Sequence, residues 1–320
     1  TDESYFVMIR ELDEGDNPHD EAAWAKPNPC LRYPSAYSRI LLKQIQDEHS
    51  TAYASNDPNK IRKFLTRRMC LWQVGSVNRY LDENCMAKAR KAMVPREEFA
   101  ALTDGQACNC GFDLGKRIDL SGSAAVFDLP DGRIAVKMHG FMPENGADRH
   151  EKTDRVPYKS WAKGGYCTLT PGDVTDNSYV YNWICAGERD HSWKVDEVDY
   201  DGHNATDLEI RMNEDRNRED FCVEVAQTCA GQNLAVKTFR ELLLQERLVL
   251  EESPLALWCL QNAIEIQNNY GDLKLSKRHK DDTERIDPVA AAMNALARVL
   301  LKRSPGSDIN EHILSEDWGV

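Results

Sequence analysis

Three aspartates stand where a carboxylate is costly unless something uses it. Asp113 lies inside the apolar run GFDLG, between Phe112 and Leu114. A carboxylate there must be paired, metal-bound or desolvated, and desolvation alone raises its pKa. The plain alternative is a surface-facing Asp on an edge strand, although Asp is depleted in strands. Asp201 closes the run KVDEVDYD just before Gly202. Carboxyl ends of strands in open α/β sheets are where sites form, but the dipeptide also reads as an ordinary turn. Asp199, two residues earlier, shares its strand face and is its rival. Asp287 precedes Pro288 and the run VAAAMNALARVLL, an N-cap signature that is enough by itself to explain the residue. Asp119 follows Asp113 after a short turn that could return it toward that residue; taken alone it is a loop residue.

Taken together, the carboxylates change the reading. An early strand carboxylate, a mid-chain strand-end carboxylate and a late one beside a terminal helix could gather two divalent cations about 4 Å apart. Such a pair polarises a phosphodiester, lowers the pKa of an attacking water and stabilises the departing oxygen. Hard oxygen ligands favour Mg²⁺ or Mn²⁺ over zinc.

The elements that must hold these residues differ along the chain. Residues 1–95 carry one short apolar run, YFVMIREL, then an acidic, turn-rich stretch and helical segments around Tyr37–His49, Pro58–Trp72 and Val77–Met93. That is too little strand for a sheet, so this part reads as a mainly helical N-terminal segment. Residues 96–320 read as a second domain. QACNCGFDLG, SAAVFDLP and RIAVKMHGFMP are strand-like, the last two joined by Pro130-Asp131-Gly132, a hairpin turn. A polar stretch over 144–165 and the short run YCTLTPG follow. Helix 176–188, strand KVDEVDYD, helix NATDLEIRMNED, strand FCVEVAQT and helix LAVKTFRELLLQERL then alternate. PLALWCLQNAIEIQNNY reads as one helix, followed by a short DLKLSKR segment and a helix from Pro288. A meander followed by strand–helix alternation specifies an α/β fold, a mixed sheet with helices on both faces.

Composition narrows the partners. No apolar run in the 320 residues approaches the roughly 20 a membrane span needs, and TDESYFVMIREL lacks the build of a signal peptide; a cytoplasmic protein is expected. The ten cysteines are scattered, and Cys108 and Cys110 form a CxC on one strand face, read as buried small apolar residues rather than a zinc site. The net charge of −13 argues against tight sequence-independent DNA binding by the chain alone. Bound divalent metal or a local basic face can still supply positive potential. Lys274, Lys277, Arg278, His279 and Lys280 cluster just upstream of Asp287, either as a DNA-backbone contact or as a solvated loop. Lys60, Lys63 and Arg67 form a second basic stripe at helical spacing.

The order GFDLGKRIDLSGSAAVFDLPDGRIAVKMHGFMP, VDEVDYDGHNA, VEVAQ and LQNAIEIQNNYGDLKLSKRHKDDTERIDPVAAAMNAL resembles the large terminase subunits of tailed phages. Residues RELDEGD, AAWAKPNPCL and FLTRRMCLWQ look like the stretch those proteins carry between ATPase core and nuclease. The resemblance implies a ribonuclease-H-like nuclease domain that cuts double-stranded phage DNA during packaging. It implies metal coordination by Asp113, Asp201 and Asp287, with Asp119 a fourth member, and Mg²⁺ or Mn²⁺ in a two-metal site. It also implies partnership with a terminase ATPase domain, a small terminase subunit and a portal. The pattern departs from the family at Gly115, where a small hydroxyl residue often follows Asp-Leu, at basic Lys116-Arg117, and at Asp287-Pro288, where glycine often follows. No GxxxxGK[ST] phosphate loop is present, so a fragment or a split gene product is expected. Two rivals share these features: a resolvase- or transposase-type nuclease on the same fold, and a non-catalytic docking module of the packaging complex.

Overall fold

The computed structural model describes residues 9–13, 15–54, 58–71, 79–115, 118–202, 205–277 and 283–303, without the side chains of residues 58, 59 and 62. The described residues up to Leu71 form one compact unit and those from Arg79 onward a second, a division ahead of the boundary near residue 95 expected from sequence. The first unit contains α1 (Ala36–Ala54) and α2 (Pro58–Arg67). Trp24, Ile45, Ala52, Phe64 and Met69 form its core. The basic stripe is real: Lys60, Lys63 and Arg67 are exposed on α2.

The second unit begins with α3 (Glu83–Lys91), whose N-terminus is capped by Asp82 accepting from the Cys85 amide at 2.7 Å. Strand β1 (Met93–Val94) and helix α4 (Arg96–Thr103) follow. The expected meander is β2 (Ala107–Asp113), β3 (Ser121–Asp128) and β4 (Ile134–Pro143). Gly132, at φ +84°, closes the turn between β3 and β4, a conformation open to glycine at little cost. The polar stretch after β4 folds into α5 (Ala147–Asp154) and α6 (Tyr158–Lys163). Then come β5 (Cys167–Thr170), α7 (Ser178–His191), β6 (Lys194–Tyr200), α8 (Thr206–Arg216) and β7 (Cys222–Glu224). Helix α9 (Cys229–Leu244) starts at Thr228, which accepts from the Gly231 amide at 3.0 Å.

Two expectations change in the last part. LVLE, which sequence reading placed at the tail of a helix and beyond, is strand β8 (Leu248–Glu251). The chain leaves α9 through Glu246 at φ +57°, and the run then pairs in parallel with β4 and β1. The single helix expected over PLALWCLQNAIEIQNNY is α10 (Pro254–Asn262) followed by β9 (Ile264–Gln267), which pairs antiparallel with β10 (Leu273–Ser276). Alternation in IEIQ and LKLS around the Asn268–Gly271 turn wins over helical propensity. Helix α11 (Asp287–Arg303) ends the described chain.

The main sheet runs β1-β8-β4-β3-β2-β6-β7, with β5 beside β4. Strands β2, β3 and β4 are antiparallel neighbours, while β6 pairs parallel with β2 and β7 parallel with β6. This is the expected ribonuclease-H-like mixed sheet flanked by helices. Both faces are covered: Ala124 and Val126 of β3 pack with α9, α10 and α11, and Ala125 and Phe127 with α4, α7 and α8. Cys108 and Cys110 are buried and free, as expected. Because β2, β6 and β7 are parallel, their carboxyl ends share one edge of the sheet, and α11 begins beside that edge.

Candidate metal centre

Asp113 is the last residue of β2 and is partly buried. Its register partner on β3 is Gly122. A β-carbon at Gly122 would overlap the Asp287 carbonyl and the Pro288 nitrogen, so only glycine lets the first turn of α11 seat against β3. Gly111, two residues before Asp113, does the same for the Ala291 carbonyl one turn further along. The helix lies close enough for the Asn294 side-chain amide to donate to the Phe112 carbonyl at 3.3 Å. Small residues on two strands thus place Asp287 beside Asp113.

The electrostatics follow from that proximity. Burial pushes the Asp113 carboxyl up to about 8, and the charges of Asp287 and Asp201 add to the effect, with Lys277 opposing it. Asp287 is 2% exposed. Its Oδ1 accepts from Lys277 Nζ at 3.2 Å, while among the described residues Oδ2 is buried without a hydrogen-bond partner. The side chain therefore does not serve its helix as the N-cap signature suggested; one carboxylate oxygen is left uncompensated in the interior. Burial of Lys277 works against its charge, but Asp287 and Asp113 outweigh it and hold its pKa above the usual lysine value.

Asp201 follows the last residue of β6 at the same edge, close enough for its charge to act on Asp113. Its rival Asp199 is fully buried inside the sheet–α11 layer. There Asp199 Oδ2 accepts from Asn109 Nδ2 at 2.8 Å, and the same amide serves Glu197 at 2.9 Å. Burial and then Glu197 hold the Asp199 carboxyl well above the usual range, so it belongs to an interior network rather than to the edge. Asp119 does return toward the site, but its carboxylate faces Arg285 Nη1 at 3.1 Å, two residues ahead of Asp287. The turn that brings it back needs Gly115, because a β-carbon there would overlap the Leu120 carbonyl. That accounts for glycine where the family often has a hydroxyl residue.

The basic cluster divides. Lys274 lies on β10 and donates to the Gln227 carbonyl at 3.4 Å. Lys277 turns to Asp287, and Arg278, His279 and Lys280 lie outside the described residues. Sequence reading missed Glu224, which ends β7 with its carboxylate against Gly202. It also missed the approach of Lys277 to the carboxylates. VEVAQ was visible as a strand, but nothing in its own residues indicates which strand it would lie beside.

The donor set suits a hard divalent cation: carboxylate oxygens at a sheet edge, one of them buried without a hydrogen-bond partner among the described residues. Among the described residues, no three His, Cys, Asp or Glu side chains converge on one point as a finished ion site. A family model for the terminase large subunit, endonuclease domain, matches residues 1–302. The chain belongs to this family. The terminase large subunit of Enterobacteria phage HK97 is 29% identical over 189 residues, 57% of this chain and 35% of that protein. The crystal structure of the HK97 bacteriophage large terminase has a TM-score of 0.61 at 21% identity, over 91% of this chain and 56% of that one; this likeness supports the fold. The chain thus spans about a third of the curated terminase relative's length and about half of the solved one's. Among the described residues no helix is long and apolar enough to cross a membrane.

Proposed function

We propose that this terminase-family chain is a divalent-metal-dependent endonuclease that cuts double-stranded phage DNA during genome packaging in the host cytoplasm. The observation that carries the reading is Asp287: sealed from water, held beside Asp113, and with one carboxylate oxygen lacking a partner among the described residues. Two buried carboxyls this close cannot both ionise cheaply, and a divalent cation would let both carry their charge. Asp113, Asp201 and Asp287 would hold Mg²⁺ or Mn²⁺, as a two-metal centre. When bound, such ions polarise the scissile phosphate and lower the pKa of the attacking water. Asp113 fixes the β2 side of the centre and Asp287 the α11 side. Asp119 acts through Arg285, orienting the segment that leads into Asp287. The compartment also fits the partners implied by family membership: a terminase ATPase domain, a small terminase subunit and a portal.

Incubating the purified chain with supercoiled plasmid in Mg²⁺, Mn²⁺ or EDTA, beside Asp113→Ala, tests this. Nicking and linearisation are expected in either metal, absent in EDTA and reduced at least a hundredfold in the variant, the scale seen when an electrostatic transition-state contact is removed. Equal cutting by Asp113→Ala would remove the proposed centre. Preference for branched over linear DNA would move the reading to a resolvase-type nuclease.

A further inference from the structure

Lys277 follows directly after β10, and its ammonium lies 3.2 Å from Asp287 Oδ1. The two side chains differ in access: Asp287 is 3% exposed and Lys277 29%. The acid cannot leave, whereas the lysine reaches it from a rim open to solvent on a flexible four-carbon stem. Among the described residues Lys277 is ion-paired with Asp287 alone, and its charge is also felt at Asp113. The neighbouring Arg285 cannot take its place, being held by Asp154 at 2.7 Å and Asp119 at 3.1 Å. The same oxygen that Lys277 occupies belongs to the carboxylate proposed to bind the divalent ion.

We propose that Lys277 is a tethered competitor for that ion: its ammonium holds Asp287 in the metal-free chain and must withdraw from the carboxylate when the ion is bound. This rests on the metal-centre reading above. One monovalent charge can neutralise one carboxylate of the Asp113–Asp287 pair but not both. The metal-free site therefore holds a single ammonium charge where a divalent ion would bring two. A divalent ion satisfies both acids, and the lysine is then a like charge beside it. Removing the lysine leaves the carboxylates in place, because the backbone seating at Gly111 and Gly122 positions them.

Mn²⁺ binding to the whole chain, without DNA, distinguishes the possibilities by calorimetry or by loss of the free-ion paramagnetic resonance signal. Lys277→Met is expected to bind Mn²⁺ at least tenfold more tightly than the unsubstituted chain, and Lys277→Arg to bind much as the unsubstituted chain does. In EDTA, Lys277→Met should melt at a lower temperature, and Mn²⁺ should raise its melting temperature by more. Lys277→Gln carries the same test if the methionine variant fails to fold. Equal or weaker Mn²⁺ binding by the neutral variants overturns the competition while leaving the metal centre standing. No binding by the unsubstituted chain or by either neutral variant overturns both. Binding by the neutral variants alone supports the competitor role in its strongest form.

Discussion

Arg285 and Asp287 are two residues apart on the approach to α11 and almost equally sealed, 1% and 2% exposed. Their surroundings are opposite. Arg285 donates to Asp154 at 2.7 Å, approaches His150 Nδ1 at 2.9 Å and faces Asp119 at 3.1 Å; Asp154 in turn accepts from the Tyr158 hydroxyl at 2.8 Å. Among the described residues Asp287 has a single lysine on one oxygen and no hydrogen-bond partner on the other. A buried charge surrounded by several partners fixes a segment in place, whereas one left short of partners marks where a ligand is expected. The first arrangement steadies the second: α5, the Asp119 turn and the lead-in to α11 all meet at Arg285.

The largest effect that would break this contrast is on stability. Arg285→Met leaves Asp154 and Asp119 without their cation, and a loss of about 3–5 kcal/mol is expected, measured by urea unfolding. A loss under 1 kcal/mol would mean the network does not fix the segment. Next in size is Gly122→Ala. Its β-carbon collides with backbone rather than with a flexible side chain, so roughly 1–3 kcal/mol should be lost, and Mn²⁺ affinity should fall with it. Unchanged affinity would show that α11 is not what places Asp287.

A pH series sharpens the comparison further. The Asp113 carboxyl, at about 8 in the folded chain, stands above its unfolded value of about 4. Its stabilising contribution is full below about pH 4 and lost as pH rises through about 8, with a slope of up to about 1.4 kcal/mol per pH unit. Unfolding in EDTA should therefore become easier from pH 5 to pH 8.5, and Asp113→Asn should flatten that trend. An identical slope in the variant would place the raised group elsewhere. The smallest effect is expected at Asp287 itself. Asp287→Asn removes repulsion while keeping an oxygen for Lys277, so stability should change by no more than about 1 kcal/mol, although cleavage is lost. A large destabilisation there would erase the distinction between the two residues.

Much of the scaffold was legible along the chain. β2, β3, β4 and β6 declared themselves by apolar runs bounded by turns, and Asp113 stood out because its neighbours were Phe112 and Leu114. Strand β8 was not legible, since LVLE continues directly from helix-forming residues and only pairing with β4 makes it a strand. β9 was hidden for a similar reason behind α10. At the site, the aspartates could be named singly, but two relations could not: Lys277 on Asp287, and Asp119 on Arg285. Both depend on contacts across folded segments, and no local spacing encodes them. The glycines at 111, 115 and 122 were equally silent, because each is required by a backbone that approaches from elsewhere.

Gly111 and Gly122 have a consequence beyond accommodating a helix. The gap between the two acidic side chains is set by backbone touching backbone, through positions that carry neither charge nor hydrogen-bonding side chain. They act as a ruler. A carboxylate can be exchanged for another ligand without altering the spacing, whereas a single methyl group on the sheet would lengthen it for every ligand alike.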